Sequence, residues 1–463
     1  MINYEDFINS KNVVFQNSGF DVSTDDINPM CFDFQKDIIR WALAKGRCAI
    51  FADCGLGKTL MQLEWAYKIC TFTGGNVLIL APLSVAQQTK REGQKFGYEV
   101  TVCESHADVK QGINITNYEK LDKFECGSFV GVVLDESSIL KSFTGSVRNQ
   151  IISYFAKTEY KLACTATPAP NDYMELGNHS EFLGIMTRAE MLAMYFVHDG
   201  GQTSKWRLKR HAESVFWQWM ASWSVFISNP ADLGYSTVGY ELPGLNIHEI
   251  IVDGDEPIAG TLTLTQRRQA RKESLEERCQ AAADLVNASD EQWLVWCDLN
   301  DESHRLWELC DDSWEIKGSD KPLYKVQTMA DFSADKLKCL VTKPSIAGFG
   351  MNWQQCHNMI FVGLSDSYEK YYQALRRCWR FGQEHEVNVY IIISAREGCV
   401  KENIERKEQD ALKMKTAMIE LTKEITKKEL KTTCRLMTPY NAKTEMILPN
   451  WEEFSNECIR SAS

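Results

Sequence analysis

Two α/β lobes, each a mainly parallel sheet flanked by helices, are the fold class this sequence predicts. Three observations carry that expectation. Short apolar runs alternate with helical segments, as strands and crossover helices do in a parallel sheet. The alternation occurs in two series, one in each half of the chain. The length, 463 residues, is too great for one small core and suits two or three domains.

In the first half, strands are predicted over 48–52, 77–81, 100–103, 113–116, 130–135 and 161–165. A second series follows over 293–297, 338–342, 359–363 and 387–393. Between the series, about 190–257, the rhythm is lost. That region holds VFWQWMASWSVF, read as a Trp-rich helix, and then the turn-rich LPGLN. Its aromatic stripe is better suited to core packing than to stacking on bases. Beyond residue 396 comes KENIERKEQDALKMKTAMIELTKEITKKEL, helix formers with apolar residues at helical spacing and charges of both signs. It predicts a docking or extension helix.

Composition narrows the function classes. Hydrophobic residues at 44% and aromatics at 11% are enough for well-buried cores. No run approaches the roughly 20 apolar residues a membrane helix needs, so no membrane partner is expected. The opening MINYEDFINSKN is acidic and lacks a long apolar core, which predicts no signal peptide. Sixteen cysteines are scattered without a CxxC pair, and the eight histidines do not fall at zinc-finger spacing. Free thiols in a reducing cytoplasm account for them best. A net charge of −12 argues against general coating of nucleic acid. It leaves room for a local basic groove, because affinity follows the Lys and Arg that reach phosphates.

The most informative stretch is AIFADCGLGKTLMQ, residues 49–62. An apolar strand meets a glycine-containing loop, then Lys58 and Thr59, then a helix. Gly55 and Gly57 permit backbone conformations that turn successive N–H groups toward phosphates. The helix N-terminus adds partial positive charge. Lys58 would reach the β- and γ-phosphates of ATP, and the Thr59 hydroxyl would enter the Mg2+ shell. The strict P-loop pattern has glycine where this chain has Ala52; AxxGxGKT is a helicase variant of it. A second acidic site follows in FVGVVLDESSILKS, where Asp135 and Glu136 close an apolar strand. Asp135 would hold Mg2+ through water, and Glu136 would orient and deprotonate the attacking water. In YYQALRRCWRFGQ, residues 371–383, a helix would put Gln373, Arg377 and Arg380 on one face. Without a phosphate site elsewhere, that stretch would read as a solvated basic helix end anchored by Trp379.

With these motifs in place the chain resembles superfamily-two DEAD/DEAH-type helicases, specifically the Swi/Snf-like branch of DNA-dependent ATPases. The correspondence runs from about residue 32 to 394. Phe34-Gln35 stands where the family has its adenine-reading glutamine. LILAPLSVAQQ and ITNYEKL resemble the first nucleic-acid-contacting motif and the segment after it. TATPAPNDYMEL, residues 165–176, resembles TxTPxxNxxxEL, which links the ATP site to the polymer track. GFGMN, residues 348–352, resembles the fifth motif, with Gly350 an expected nucleotide contact. QALRRCWRFGQ matches QAxxRxxRxGQ, which places Gln373 in the catalytic set and makes Arg377 and Arg380 arginine fingers; Arg376 falls where relatives do not require arginine and reads as a surface charge. Two features depart from the branch: DESS stands in place of DEAH, and the WNP segment before the sixth motif is absent. The compact form looks most like members encoded by bacteriophages and prophages, which implies the cytoplasm of a bacterial host.

The resemblance implies two RecA-like lobes: an N-terminal extension over 1–30, an ATP-binding lobe over 31–189, the aromatic-rich inter-lobe region over 190–257, a second lobe over 258–396 and a helical extension over 397–463. ATP with Mg2+ would sit in the cleft, and the implied activity is an ATP-dependent motor on duplex DNA. Expected polymer contacts are Ser84, Thr116, Asn117, Thr342 and Ser345, since hydroxyls and amides suit sequence-independent phosphate binding. Strand separation on DNA or RNA is the alternative motor. A nucleotide-gated binding or assembly factor that does not translocate is the alternative outside that class.

Overall fold

The strands form where apolar runs can be buried on both faces at once. In a computed structural model describing residues 17–82, 85–141, 145–170, 172–199, 202–253, 264–347, 351–364, 367–395 and 400–432, those runs become two parallel sheets. The first contains β1 (Arg47–Ala52), β2 (Asn76–Ala81), β3 (Val100–Val102), β4 (Ile113–Asn117), β5 (Phe129–Asp135), β6 (Tyr160–Cys164) and β9 (Ser224–Ile227), in the order β3-β4-β2-β5-β6-β1-β9. The second contains β10 (Leu245–Val252), β11 (Trp293–Cys297), β12 (Ser313–Glu315), β13 (Cys339–Thr342), β14 (Asn358–Val362) and β15 (Val387–Ser394), in the order β10-β15-β14-β11-β13-β12. A separate antiparallel hairpin joins β7 (Phe196–Asp199) to β8 (Gln202–Leu208). This is the two-lobed α/β class the sequence predicts.

Strand alternation divides each lobe into two apolar layers. In β1, Cys48, Ile50 and Ala52 face a core with the helices Asp33–Lys45 and Lys58–Thr73. Ala49 and Phe51 face another, built from Leu140, Ile151, Phe182, Trp219 and Trp223. In β11, Leu294 and Trp296 face one core while Trp293, Val295 and Cys297 face the other.

The region over 190–257 differs from its sequence reading. The Trp-rich helix runs over Glu213–Trp223 and stops there. Ser224 turns extended, its hydroxyl donates to the Met220 carbonyl, and Ser-Val-Phe-Ile becomes β9 beside β1. The β-branched and aromatic residues of that run suit a buried strand better than a helix end. Farther on, β10 pairs with β15 along its whole length. The region therefore supplies one edge strand to each sheet. Its tryptophans Trp217, Trp219 and Trp223 are buried in the first lobe, so the aromatic stripe is core.

The expected docking helix is present as Val400–Thr432. It follows β15 of the second lobe yet packs on the first, against the Glu213–Trp223 helix, β9 and the Asp33–Lys45 helix. Met418 and Ile419 enter one first-lobe core and Leu430 the other. Lys45 Nζ bonds Glu429 Oε2 at 2.9 Å. Among the described residues no helix is long and apolar enough to cross a membrane.

Trp223 stacks edge-on to Trp219 at 5.4 Å and is wholly buried. Trp223→Ala is expected to cost about 3–5 kcal/mol. Urea unfolding followed by circular dichroism checks it, and a loss under about 1 kcal/mol, the size of an ordinary substitution, would contradict this packing.

Candidate nucleotide site and inter-lobe seam

In a parallel sheet the loops after the strands gather at one edge, where ligands bind. β6 lies between β1 and β5, with Cys164 level with both Ile50 and Asp135. The loop after β1 and the acidic pair after β5 are thus two strand spacings apart, roughly 10 Å, with Thr165 between them.

The loop over 53–57 is shaped by its glycines. Gly55 has φ 88° and Gly57 φ 76°, both left-handed. A methyl on Gly57 would lie 2.3 Å from Gln35 Nε2, so close approach excludes a side chain as firmly as the backbone angle does. Gln35 is buried and bridges the loop to the start of its own helix: Nε2 donates to the Leu56 carbonyl at 2.9 Å, and Oε1 accepts from Phe32 N–H at 2.9 Å. The Lys58 ammonium folds back on the loop, donating to the carbonyls of Ala52 at 2.8 Å and Asp53 at 3.1 Å. Thr59 follows in the first turn of the helix and is partly exposed.

Asp135 ends β5 and accepts from Gln62 Nε2 at 2.8 Å. Burial pushes its carboxyl up to about 6, outweighing that hydrogen bond. Glu136 adopts φ 60°, a strain of order 1–3 kcal/mol for a residue with a side chain. Surrounding contacts hold it there. Thr165 Oγ1 donates to Glu136 Oε1 at 2.7 Å, and Ser138 Oγ approaches the same oxygen at 3.3 Å. The next residue, Ser137, meets His179 Nε2 at 3.1 Å. Burial drives His179 down to about 4, so it is neutral there at working pH. In place of a DEAH histidine, DESS takes a histidine partner from the Leu176–Leu183 helix.

The second lobe reaches this edge directly. Gln373, on the helix Tyr368–Leu375, places Nε2 3.4 Å from Glu136 Oε1, while its own Oε1 is buried without a partner among the described residues. The helix is shorter than the sequence suggests: it ends at Leu375, so Arg377 and Arg380 lie in the turns beyond it. Arg377 itself ends it, because its Nε takes the Gln373 carbonyl at 2.9 Å and its own carbonyl accepts from Trp353 N–H at 3.0 Å. Both guanidinium groups donate to the Met351 carbonyl, at 3.1 and 3.3 Å. Among the described residues neither has a carboxylate within ion-pair distance. Burial, and the positive charge of Arg377, lower Arg380 to about 10.

Arg376 is not the surface charge the sequence reading made it. It is 6% exposed, its Nη2 donates to the Cys54 carbonyl at 2.7 Å, and it lies over the rings of Tyr372 and Trp379. The turn after Leu375 aims it across the seam, which helical spacing could not show. Phe381 packs on Gly55 from the same segment, within 3.2 Å of a methyl placed there. Asn352 Nδ2 bonds Glu92 Oε1 at 3.1 Å, and Lys141 pairs with Glu369.

A groove of about 640 Å³ runs between the lobes, lined by Asn117, Lys120 and Lys141 on one side and Lys325 and Ser345 on the other. Of the residues expected at a polymer, Asn117 and Ser345 face it. Thr116 and Thr342 do not line it: their hydroxyls donate to the carbonyls of Cys103 at 2.8 Å and Ile316 at 3.3 Å, and both are buried. Ser84 and Gly350 lie outside the described residues.

The donor set suits a triphosphate with Mg2+. Left-handed glycines, a helix N-terminus, Lys58, the buried Arg377 and the half-buried Arg380 gather at the same edge as an acidic pair. No cluster of three metal-ligating side chains occurs among the described residues. Thr59 and Asp135 would therefore hold Mg2+ only together with phosphate oxygens and water, as that ion prefers. Gln62, His179 and Tyr372 join the site without having been read from the sequence. Nothing in their local pattern distinguishes them from ordinary helix residues.

Residues 277–382, within the second lobe, match the family described as the helicase conserved C-terminal domain. None of the curated proteins matches the chain. Among solved structures, the SWI2/SNF2 ATPase core of Sulfolobus solfataricus in complex with dsDNA is similar at 16% identity, covering 89% of this chain and 98% of that one, with a TM-score of 0.40.

A carboxyl raised on folding contributes stability that is complete below its unfolded value, near 3.8, and lost as pH rises through about 6. Asp135→Asn should therefore stabilise the nucleotide-free protein at pH 7.5 by up to about 3 kcal/mol, with the gain vanishing toward pH 4. Thermal unfolding of both forms across that range checks the sign. A variant less stable at pH 7.5 would contradict it.

Proposed function

We propose that the chain is an ATP-dependent motor that hydrolyses ATP between its two lobes and moves along duplex DNA. The observation that carries this reading is the meeting of Gln373 from the second lobe with Glu136 from the first, 3.4 Å apart, beside the phosphate-type loop. A simple phosphate-binding enzyme would not need a second lobe to complete its acidic site.

Each residue has a task in this reading. Lys58 would leave the carbonyls of Ala52 and Asp53 to meet the β- and γ-phosphates. The loop N–H groups and the Lys58–Thr73 helix N-terminus would hold them. Thr59 and Asp135 would hold Mg2+, which would offset phosphate charge. Glu136, steadied by Thr165, would take the proton of the attacking water. Gln373 would help orient that water through its unpartnered Oε1. Arg377 is buried and Arg380 half-buried, and neither has a carboxylate partner among the described residues, so a phosphoryl group gaining negative charge is the ion they suit. Leaving the Met351 carbonyl would free both for it. Alternate closing and opening of the lobes would then advance their grip on a strand, with Asn117 and Ser345 in the groove. Duplex DNA as the track rests on the resemblance of the motifs to Swi/Snf-like ATPases.

Lys58→Ala is expected to lose ATP turnover through lost phosphate attraction. Glu136→Gln should still bind ATP and hydrolyse it poorly. Arg377→Ala and Arg380→Ala should each lower kcat by at least ~10-fold with less effect on binding. Steady-state assays on folded variants check all four; near-normal turnover in Lys58→Ala and Glu136→Gln would remove the proposed ATP site.

The polymer is tested by ATPase rates with no polymer, duplex DNA, single-stranded DNA and RNA in parallel. Duplex DNA of mixed sequence should raise kcat, and its apparent affinity should fall steeply with salt because phosphate contacts release counterions. Stimulation by RNA alone would replace this reading with an RNA helicase. No stimulation by any polymer would favour a nucleotide-gated assembly factor.

A further inference from the structure

We infer that Lys415, on the helix Val400–Thr432, is a positioning residue for the phosphate-type loop, acting through Asp53. The inference rests on the ATP reading for its kinetic consequence and on geometry alone for its structural one.

Asp53 is the first residue after β1, and its side chain is 10% exposed. Its carboxylate accepts from Cys54 N–H at 2.8 Å and from the Tyr372 hydroxyl at 2.6 Å, and it pairs with the Lys415 ammonium. The Cys54 carbonyl is taken by Arg376 at 2.7 Å. Residues 53 and 54 are thus gripped by the second lobe and by the long helix. Lys58 is held by carbonyls of the same stretch, at Asp53 itself and one residue before it at Ala52. Fixing Asp53 fixes the acceptors that hold the phosphate-seeking ammonium.

Packing alone does not seat Lys415. A cavity of about 90 Å³ lies beside the Lys415–Asp53 pair, both of which line it with Pro168, Phe226, Leu412 and Met418 among others. Where contacts are missing on one side, dispersion cannot set position, and the ion pair provides the direct link. Burial would otherwise raise the Asp53 carboxyl; Lys415, then Arg376, hold it down at about 2. Removing one partner of such a pair leaves a charge poorly compensated, and the loop is the part free to adjust. Docking of the long helix is thereby communicated to the nucleotide site.

The test uses the full chain with Lys415→Met, Lys415→Arg, Asp53→Asn and the double variant Lys415→Met/Asp53→Asn. Amide hydrogen exchange over 53–57 is measured without nucleotide, and KM for ATP and kcat are measured with saturating duplex DNA. In Lys415→Met, exchange over 53–57 should quicken by ~10-fold or more, as expected for local opening. KM for ATP should rise by roughly 5–10-fold with kcat changed less than about 3-fold, the signature of lost ground-state binding. Lys415→Arg should restore most of both. The double variant should be no worse than the worse single one, since both remove the same pair. Unchanged exchange over 53–57 in Lys415→Met overturns the inference. So does multiplication of the two single effects, or a loss of stability that Lys415→Arg shares with no change in KM. If the unaltered protein hydrolyses no ATP, the ATP reading falls, while the exchange data still decide whether Lys415 holds the loop.

Discussion

A carboxylate directly after β1 brings three distant parts of the chain to one point. Asp53 meets Tyr372 of the second lobe and Lys415 of the long helix, while the neighbouring Cys54 carbonyl receives Arg376. A buried carboxylate is costly without compensation, so each of these groups is needed where it stands. Together they dictate how closely the lobes approach. With that approach fixed, Gln373 comes to Glu136 and Phe381 to Gly55. The groove between the lobes is what remains open beside those contacts.

The seam also concentrates what ordinary folding would avoid. Asp135 is half-buried, and desolvation pushes its carboxyl up to about 6. Glu136 sits at φ 60°. Arg377 and Arg380 share one carbonyl acceptor, and Gln373 Oε1 has no partner among the described residues. Unfavourable features gathered on facing surfaces of two well-packed lobes suit a site prepared for a charged ligand better than a structural joint. The cores on either side supply the stability that tolerates them: β1 and β11 are buried on both faces.

Much of the fold was legible because parallel strands are long apolar runs whatever surrounds them. The ten expected strands all occur, with shifts at their ends. The edge strands β9 and β10 were not legible. Ser-Val-Phe-Ile follows a Trp-rich helix without a turn signal, and Leu-Asn-Ile-His-Glu-Ile-Ile-Val is interrupted by Asn246, His248 and Glu249, as an edge strand exposed on one side can be. In the site, loop glycines, Lys58 and the Asp135-Glu136 pair announce themselves through local spacing. Thr116 and Thr342 carry the same kind of hydroxyl as a phosphate contact, yet theirs are bonded inside the sheets.

The parts are readable along the chain: two parallel sheets, a glycine loop running into a helix, an acidic strand end, a cluster of arginines and a long amphipathic helix. Each follows from short-range physics, since strand burial, left-handed glycines and helix periodicity act over a few neighbouring residues. What those parts meet is set by the folded molecule. Whether Arg376 faced water or the Cys54 carbonyl depended on where a helix ended, at Leu375. Whether the long helix merely extended the chain or reached Asp53 depended on a contact between residues 362 positions apart. Such contacts form because buried charge must find a partner in three dimensions, and that demand leaves no periodic mark along the chain.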